Sequence, residues 1–232
     1  MLATSFGAAG ILAFRTMTDR IYALVISFSA GMMAFSAFEM INESHAIAGH
    51  RMAVAGVLCG IIIFTILDKI LPHTHHLILG TEMPDAKKKS AMLVGTITLH
   101  NIPEGFAIAS AFATSSALGW LVALSIALQD IPEGMVVSMP VACYGASRRK
   151  SFLWGVFSGI VEFLAAIAGF FFLKTATTFT PFALGFSGGA MVYVTFLELL
   201  PDVLQSNKQH LAIGMFVMGL VTAYGLSLLF GF

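Results

Sequence analysis

The sequence predicts an all-α integral membrane protein of eight transmembrane helices, in which the first three and the last three form an inverted repeat around helices 4 and 5. Three observations predict this class. The chain of 232 residues is 58% hydrophobic and only 10% charged, with a mean hydropathy of +0.90, whereas about a quarter of the residues in a soluble domain are charged. Its apolar residues fall into eight runs with short polar segments between them. The basic residues of those segments are concentrated in alternate loops.

The eight apolar runs, numbered here as spans 1 to 8, lie at 2–14, 21–41, 52–71, 90–113, 117–141, 151–173, 181–200 and 210–230. A helix needs about 20 residues to cross a hydrocarbon core of about 30 Å. Span 1 is therefore short and is expected to tilt little or to thin the bilayer, and the other spans are long enough. Together they predict a single transmembrane domain over residues 1–232, with no separate soluble domain.

Lysine and arginine residues predict the orientation. With the N-terminus placed outside the cytoplasm, ten of the twelve fall in inside loops, and only Arg51 and Lys174 fall in outside loops. The positive-inside rule therefore places both termini outside the cytoplasm. The short loops and the lack of a targeting extension indicate a bacterial plasma (inner) membrane. The net charge is zero, so nothing suggests nucleic acid as a partner.

Two short likenesses indicate internal symmetry. Spans 4 and 5 each carry the tetrad Ile-Pro-Glu-Gly, 29 residues apart. Ser29-Ala30-Gly31 in span 2 resembles Ser187-Gly188-Gly189 in span 7, and both spans carry an acidic pair four residues apart: Glu39 with Glu43, and Glu198 with Asp202. Because spans 2 and 7 run in opposite directions in the predicted topology, the likeness indicates the inverted repeat that is typical of transporters.

Two six-residue blocks place ionisable groups in the middle of spans 4 and 5, where such groups are costly and mark ion paths. Residues three or four apart share a helix face. Each block therefore presents three potential ligands on one stripe: His100, Asn101 and Glu104 in span 4, and Gln129, Asp130 and Glu133 in span 5. Pro103 and Pro132 each free a backbone carbonyl one turn earlier, which could bind water or metal or mark a kink. Facing stripes predict an ion cage; the alternative is a pair of kinked helices whose polar residues only hold neighbours together.

The expected ligands are oxygen and nitrogen atoms without thiolate. Imidazole with carboxylate suits zinc, iron, manganese, cobalt or nickel better than copper(I), and calcium and magnesium prefer oxygen alone. Glu162 is alone in span 6, with no lysine or arginine at membrane depth, and is expected to add a carboxylate; pairing with a polar neighbour is the alternative. Glu104 and Glu133 both reach the midline and could bridge two ions. The ions are cargo, and no cofactor is expected.

Other polar residues are expected to line the path of the ion. Glu39 and Glu43 lie near the outer end of span 2 and could capture cations, and Glu198 and Asp202 near the inner end of span 7 could pass them on. Ordinary interfacial charge is the alternative. Three histidines follow Pro72 in a predicted cytoplasmic loop, where they could hold metal loosely or belong to a solvated linker: His73, His75 and His76.

These motifs resemble those of the ZIP (Zrt-, Irt-like) metal transporters, and above all those of their compact prokaryotic GufA-type branch. The block of span 4 matches the family's fourth-helix motif, whereas the block of span 5 lacks two histidines that many relatives carry. The likeness covers essentially the whole chain. It implies a binuclear centre with one ion at His100, Glu104, Gln129 and Glu133, and the other at Asn101, Asp130 and Glu162, with Glu104 and Glu133 bridging. It also implies divalent metal uptake into the cytoplasm, an elevator-like movement of spans 1, 4, 5 and 6 against the rest, and a homodimer.

Three functions remain open on the sequence. The first is a transporter of zinc or cadmium, with iron, manganese, cobalt and nickel as further cargo, that works by alternating access across the lipid bilayer. The second is an intramembrane metalloenzyme, which would need an open coordination position and a site generally richer in histidine. The third is a selective channel with the same cage and no alternating motion. The histidine-poor cage and the inverted repeat favour the transporter, so no enzyme activity is expected.

Overall fold

A computed structural model describes residues 1–13, 18–79, 85–143, 145–205 and 209–231, with side chains except at 19, 71–79, 85–93, 202, 203 and 205. Over this part of the chain the secondary structure is helical, with no strand. The helices are α1 (Leu2–Ala8), α2 (Gly10–Ala13), α3 (Asp19–Leu79), α4 (Asp85–Thr114), α5 (Ser116–Cys143), α6 (Arg148–Thr175), α7 (Thr180–Tyr193), α8 (Leu200–Gln205) and α9 (Gln209–Phe230). A 3₁₀ turn at Thr177–Phe179 precedes α7, and a π-helical segment at Val194–Leu199 joins α7 to α8.

Helix α3 is broken at Gly49, where φ is +77° and ψ is 174°. This backbone conformation is readily adopted only by glycine, so α3 consists of two helices that correspond to spans 2 and 3. Its second half continues to Leu79, beyond the predicted start of the loop after Pro72, because no further helix breaker occurs before Gly80. The side chains of His73, His75 and His76 lie outside the described residues.

Five helical stretches within the described residues are long and apolar enough to cross a membrane: Arg20–Ile70, Ser116–Cys143, Arg148–Thr175, Thr177–Leu199 and Gln209–Phe230. The stretch Leu2–Ala13 is apolar but shorter. Large apolar side chains such as Trp154, Phe171 and Val221 are exposed on the outside of the bundle, as lipid contact requires. The helical membrane class is therefore confirmed, while the count of eight crossings and the inverted repeat stay predictions.

The helices pack in two groups. Helices α4, α5 and α6 contact one another and α1 packs against α5 and α6, and these four form group A; α3 packs along α7 and α9 and forms group B. Close backbone approach holds group A together, because a β-carbon at Gly105 would meet the carbonyl of Glu162 and one at Gly134 would meet the carbonyl of Thr4. In group B a β-carbon at Gly219 would meet the carbonyl of Phe28. Small residues at helix contacts are typical of membrane bundles.

The two motif blocks lie at the boundary between the groups, where α4 and α5 face α3 and α7. Along both motif helices the blocks are flanked by buried apolar clusters. One cluster includes Ala107 and Ile126, and the other includes Ile97 and Val136. The fold therefore encloses a short polar layer, formed by the two blocks, between two apolar layers.

Candidate metal centre

Helices α4 and α5 bring three carboxylates together. Glu104, Asp130 and Glu133 each offer an oxygen, and these three oxygens lie within 4.8 Å of one another. The residues are 0%, 1% and 7% exposed. Carboxylates at this spacing and burial repel one another and have lost their hydration. Their negative charge therefore has to be neutralised by something bound within the site. We call these three residues the carboxylate cage.

The oxygens at and around the cage indicate what kind of ligand the site suits. Among the described residues, five buried side-chain atoms of the two blocks have no hydrogen-bond partner: Asn101 Oδ1, Glu104 Oε2, Gln129 Oε1, Asp130 Oδ1 and Glu133 Oε1. Buried polar atoms are nearly always paired, and leaving one unpaired costs free energy. All five are oxygens of carboxylates or amides. A bound cation would satisfy them, because oxygen atoms of these groups are its usual ligands.

The two amide side chains are held by their nitrogen atoms. Gln129 Nε2 donates to Glu104 Oε1 at 2.6 Å and so links α5 to α4. Asn101 Nδ2 donates to the backbone carbonyl of Ser158 on α6 at 3.1 Å. In both residues the amide oxygen is left without a partner, which makes it available as a neutral ligand.

Glu162 of α6 lies beside Asp130 and against the first turn of α1. Its Oε2 accepts from Thr4 Oγ1 at 3.3 Å and contacts the α-amino group of Met1. Thr4 Oγ1 also lies 3.1 Å from Asp130 Oδ2, and the α-amino nitrogen lies 3.9 Å from that oxygen. The structure thus joins Glu162 to Asp130 through α1, a helix from which the sequence predicted no site residue. Two adjacent polar residues, Thr4 and Ser5, in a short apolar run give little signal.

His100 is bonded to a residue outside the cage in this structure. Its Nε2 lies 2.7 Å from Glu198 Oε2, and Glu198 belongs to the π-helical segment between α7 and α8. Segments of this kind are rare and are often found at functional sites. His100 is therefore placed one helical turn from Glu104 but bonded across the boundary between groups A and B.

A cavity opens beside this pair, lined by Phe64, Leu67, Asp68, Thr96, Leu99, His100 and Glu198. Asp68 accepts a hydrogen bond from the hydroxyl of Tyr193 at 3.1 Å. Sequence reasoning missed Asp68 because it stands beside Lys69 at the end of an apolar run, where an acidic residue normally reaches interfacial water. Its position opposite His100 depends on the packing of α3 against α4 and α7.

The remaining predicted path residues lie on group B. Glu39 and Glu43 are half-buried one turn apart on α3, in the part that ends at Gly49. Ser44 in the same region donates to the carbonyl of Pro181 at 2.6 Å and fixes α3 against α7. The backbone of Asp202 lies in α8, and its side chain is outside the described residues.

Comparison with known proteins gives a consistent result. A family model described as ZIP Zinc transporter matches residues 80–227, which include both blocks, Glu162 and Glu198. The chain is 32% identical over 242 residues to Zinc transporter ZupT of Chlorobaculum parvum, covering 95% of this chain and 90% of that protein. It is 32% identical over 179 residues to Zinc transporter GufA of Myxococcus xanthus, covering 76% and 70%. A longer Arabidopsis thaliana protein is 29% identical over 87% of this chain, and that match spans 33% of the plant protein.

Proposed function

Because the chain belongs to the ZIP family of zinc transporters, we propose that it carries zinc across the plasma membrane into the cytoplasm and binds the ion at the carboxylate cage. The observation that carries this proposal is the set of five unpartnered oxygens, all buried within the two motif blocks. Packing alone would not place unpaired acceptors there, whereas a cation in transit uses them. The donor set also suits cadmium, iron, manganese, cobalt and nickel.

The centre would hold two ions. The first subsite is formed by Glu104, Gln129 and Glu133, and the second by Asn101, Asp130 and Glu162. The oxygens of the cage carboxylates lie within 4.8 Å of one another, which supports the proposal that carboxylates of the cage contact both ions. Neutral amide ligands weaken binding compared with histidine or carboxylate, which suits a carrier that has to release its cargo.

His100 would alternate between the first subsite and Glu198. Residues four apart share a helix face, so its ring can reach the ion beside Glu104, and the 2.7 Å contact with Glu198 supports the second position. The cavity beside the pair, with Asp68 on its wall, would be the release path. In the predicted topology it faces the cytoplasm. Asp202 and the histidines of α3 would lie further along this path, and Glu39 with Glu43 would receive ions on the outer side.

Transport would proceed by alternating access, with group A sliding against group B. The division of the contacts into two groups supports such a movement, as does the largely apolar boundary above and below the blocks. Polar contacts across it include Ser29 Oγ to the carbonyl of Gln129 at 3.0 Å and the His100–Glu198 pair. Both would break and re-form in each cycle. The expected setting is a bacterial inner membrane with both termini outside the cytoplasm, and the expected assembly is a homodimer.

The test is zinc uptake into proteoliposomes that contain a zinc-sensitive dye. Wild-type protein should give saturable uptake, and the double variant Glu104→Gln/Glu133→Gln should give none. Asp85→Asn is the matched control, because it removes one negative charge at the first residue of α4, about five helical turns before Glu104, and should retain most of the uptake. No flux from wild-type protein that binds zinc tightly would overturn transport in favour of a metalloenzyme. Flux that rises without saturation, beyond carrier turnover, would overturn alternating access in favour of a channel.

A further inference from the structure

Thr4 occupies a position between two carboxylates of the candidate metal centre. Its hydroxyl oxygen lies 3.1 Å from Asp130 Oδ2 and 3.3 Å from Glu162 Oε2, and the residue is 0% exposed. A hydroxyl carries one proton, so it donates to one carboxylate at a time while its position keeps both within reach. Asp130 and Glu162 belong to different helices, and Thr4 of α1 bridges them.

The packing of α1 fixes the depth of this hydroxyl. A β-carbon at Gly134 of α5 would collide with the backbone carbonyl of Thr4, and one at Gly159 of α6 would come within 3.1 Å of the Thr4 β-carbon. On the other side, a β-carbon at Gly7 would collide with the carbonyl of Ile131. Because α1 meets the backbone of α5 closely at both Gly7 and Gly134, it cannot shift without disturbing that motif-bearing helix. The hydroxyl is therefore held in place.

Asp130 and its neighbour in the site, Asn101, each keep one side-chain oxygen that makes no hydrogen bond. Asp130 Oδ1 and Asn101 Oδ1 have no hydrogen-bond partner, although Asp130 Oδ2 and Asn101 Nδ2 are both engaged. Each side chain is thus bonded through one atom, and its other atom is left for a ligand. This is the pattern of a site whose supporting hydrogen bonds orient the ligating groups.

We propose that Thr4 is a positioning residue of the second ion subsite: its hydroxyl holds Asp130 and Glu162 side by side, so that the unpartnered oxygens of Asp130 and Asn101 converge with the Glu162 carboxylate on one cation. The inference rests on the proposed function, since it assigns the second of its two subsites. It adds α1 to the elements that build the metal centre. Without the hydroxyl, the two carboxylates lose the neutral donor between them and keep only the α-amino group of Met1, which contacts Glu162 and lies 3.9 Å from Asp130 Oδ2.

The test compares Thr4→Val with Thr4→Ser by zinc titration of the purified full-length protein in nanodiscs. Valine keeps the β-branched shape and removes the hydroxyl, whereas serine keeps the hydroxyl. Wild-type protein should bind two zinc ions. Thr4→Val should retain the first and weaken the second by about 10–100-fold, the usual effect of removing a supporting hydrogen bond at a metal site, and Thr4→Ser should restore it.

Thr114→Val is the matched control, because the Thr114 hydroxyl bonds only the local carbonyl of Ser110 among the described contacts. It should leave both ions unchanged. In an Asp130→Asn background Thr4→Val should cause no further loss, since the two residues act on one subsite. If Thr4→Val fails to fold, Thr4→Ala removes the same hydroxyl with less bulk and is expected to behave in the same way.

Three results would overturn the inference. Unchanged binding of both ions by Thr4→Val would show that the hydroxyl does not support the site. Equal loss in Thr4→Ser and Thr4→Val would show that packing, not the hydroxyl, is responsible. A wild-type stoichiometry of one zinc would remove the second subsite but leave the first intact, whereas a wild-type protein that binds no zinc would remove the proposed function itself.

Discussion

Replacing Glu104 by glutamine tests the cage most directly, because Glu104 is fully buried and its neighbours define the geometry. Glutamine has the same shape and can still accept from Gln129 Nε2 through its own amide oxygen, a contact that measures 2.6 Å in the native chain. The substitution therefore removes one negative charge and leaves the link between α4 and α5 possible. Any loss of zinc binding can then be attributed to charge rather than to collapse of the site.

The size of the effect follows from the spacing of the cage. At an effective dielectric constant of about 20, a divalent ion about 4 Å from a unit charge is attracted by roughly 8 kcal/mol. Glu104 lies within 4.8 Å of Asp130 and Glu133; with one of these two neighbours protonated in the metal-free cage, the substitution removes one ionised pair and relieves about 4 kcal/mol of repulsion. The net loss is about 4 kcal/mol, which corresponds to roughly a thousandfold in affinity.

The assay is competition for zinc between the purified protein and a chelator of known affinity, with uptake measured on the same preparation. Glu104→Gln should weaken the first ion by about a thousandfold and abolish uptake at micromolar zinc. Asp85→Asn should change binding little, since Asp85 is the first residue of α4 and lies about five helical turns before Glu104. A change of less than about tenfold in Glu104→Gln, with uptake retained, would refute the electrostatic reasoning and remove Glu104 from the centre.

Two further predictions concern the second subsite and the packing of α1. Asn101→Ala and Asp130→Ala should each weaken uptake or change metal selectivity without abolishing transport; complete loss in both, measured with zinc and manganese, would show that the order of importance of the two subsites is wrong. Gly134→Ala should destabilise the protein by about 1–3 kcal/mol, because the new β-carbon meets the backbone of Thr4 and Ala8. Gly214→Ala, with nothing within 4 Å, should leave thermal unfolding in detergent unchanged, and equal melting of the two variants would contradict the close contact.

The carboxylate cage was predictable because its geometry is mostly local. Glu104 lies on the polar face of α4, and Asp130 and Glu133, three residues apart, share one face of α5. Because charged groups that face lipid at bilayer depth are costly, the two polar faces turn towards each other. Only the pairing of α4 with α5 is tertiary, and the short connection between Thr114 and Ser116 makes that pairing almost unavoidable. The gathering of Glu104, Asp130 and Glu133 therefore follows from sequence.

The contributions of α1 and of α3 were not predictable in the same way. Thr4 reaches Asp130 across 126 positions of sequence, and Asp68 reaches Tyr193 across 125. Nothing in the local pattern around either residue distinguishes it from an ordinary polar residue near a helix end. The π-helical segment that carries Glu198 precedes Pro201, which cannot donate a backbone hydrogen bond, but a proline alone does not predict that segment. These features arise from packing between helices.

His100 is the residue for which resemblance and structure differ most. The resemblance implies a ligand of the first ion, whereas the structure bonds it to Glu198 across the boundary of the two groups.

If His100 accompanies the ion towards release, His100→Ala should slow turnover by more than about 100-fold and weaken equilibrium zinc binding by no more than about tenfold, because the carboxylates of the first subsite remain. Glu198→Gln should likewise slow turnover much more than it weakens zinc binding. The double variant should be no slower than either single variant, since the two residues act as a unit. Stopped-flow uptake and chelator competition measure the two quantities separately. A loss of affinity in His100→Ala as large as that in Glu104→Gln would instead make His100 a permanent ligand of the first ion, and its contact with Glu198 would then have no part in release.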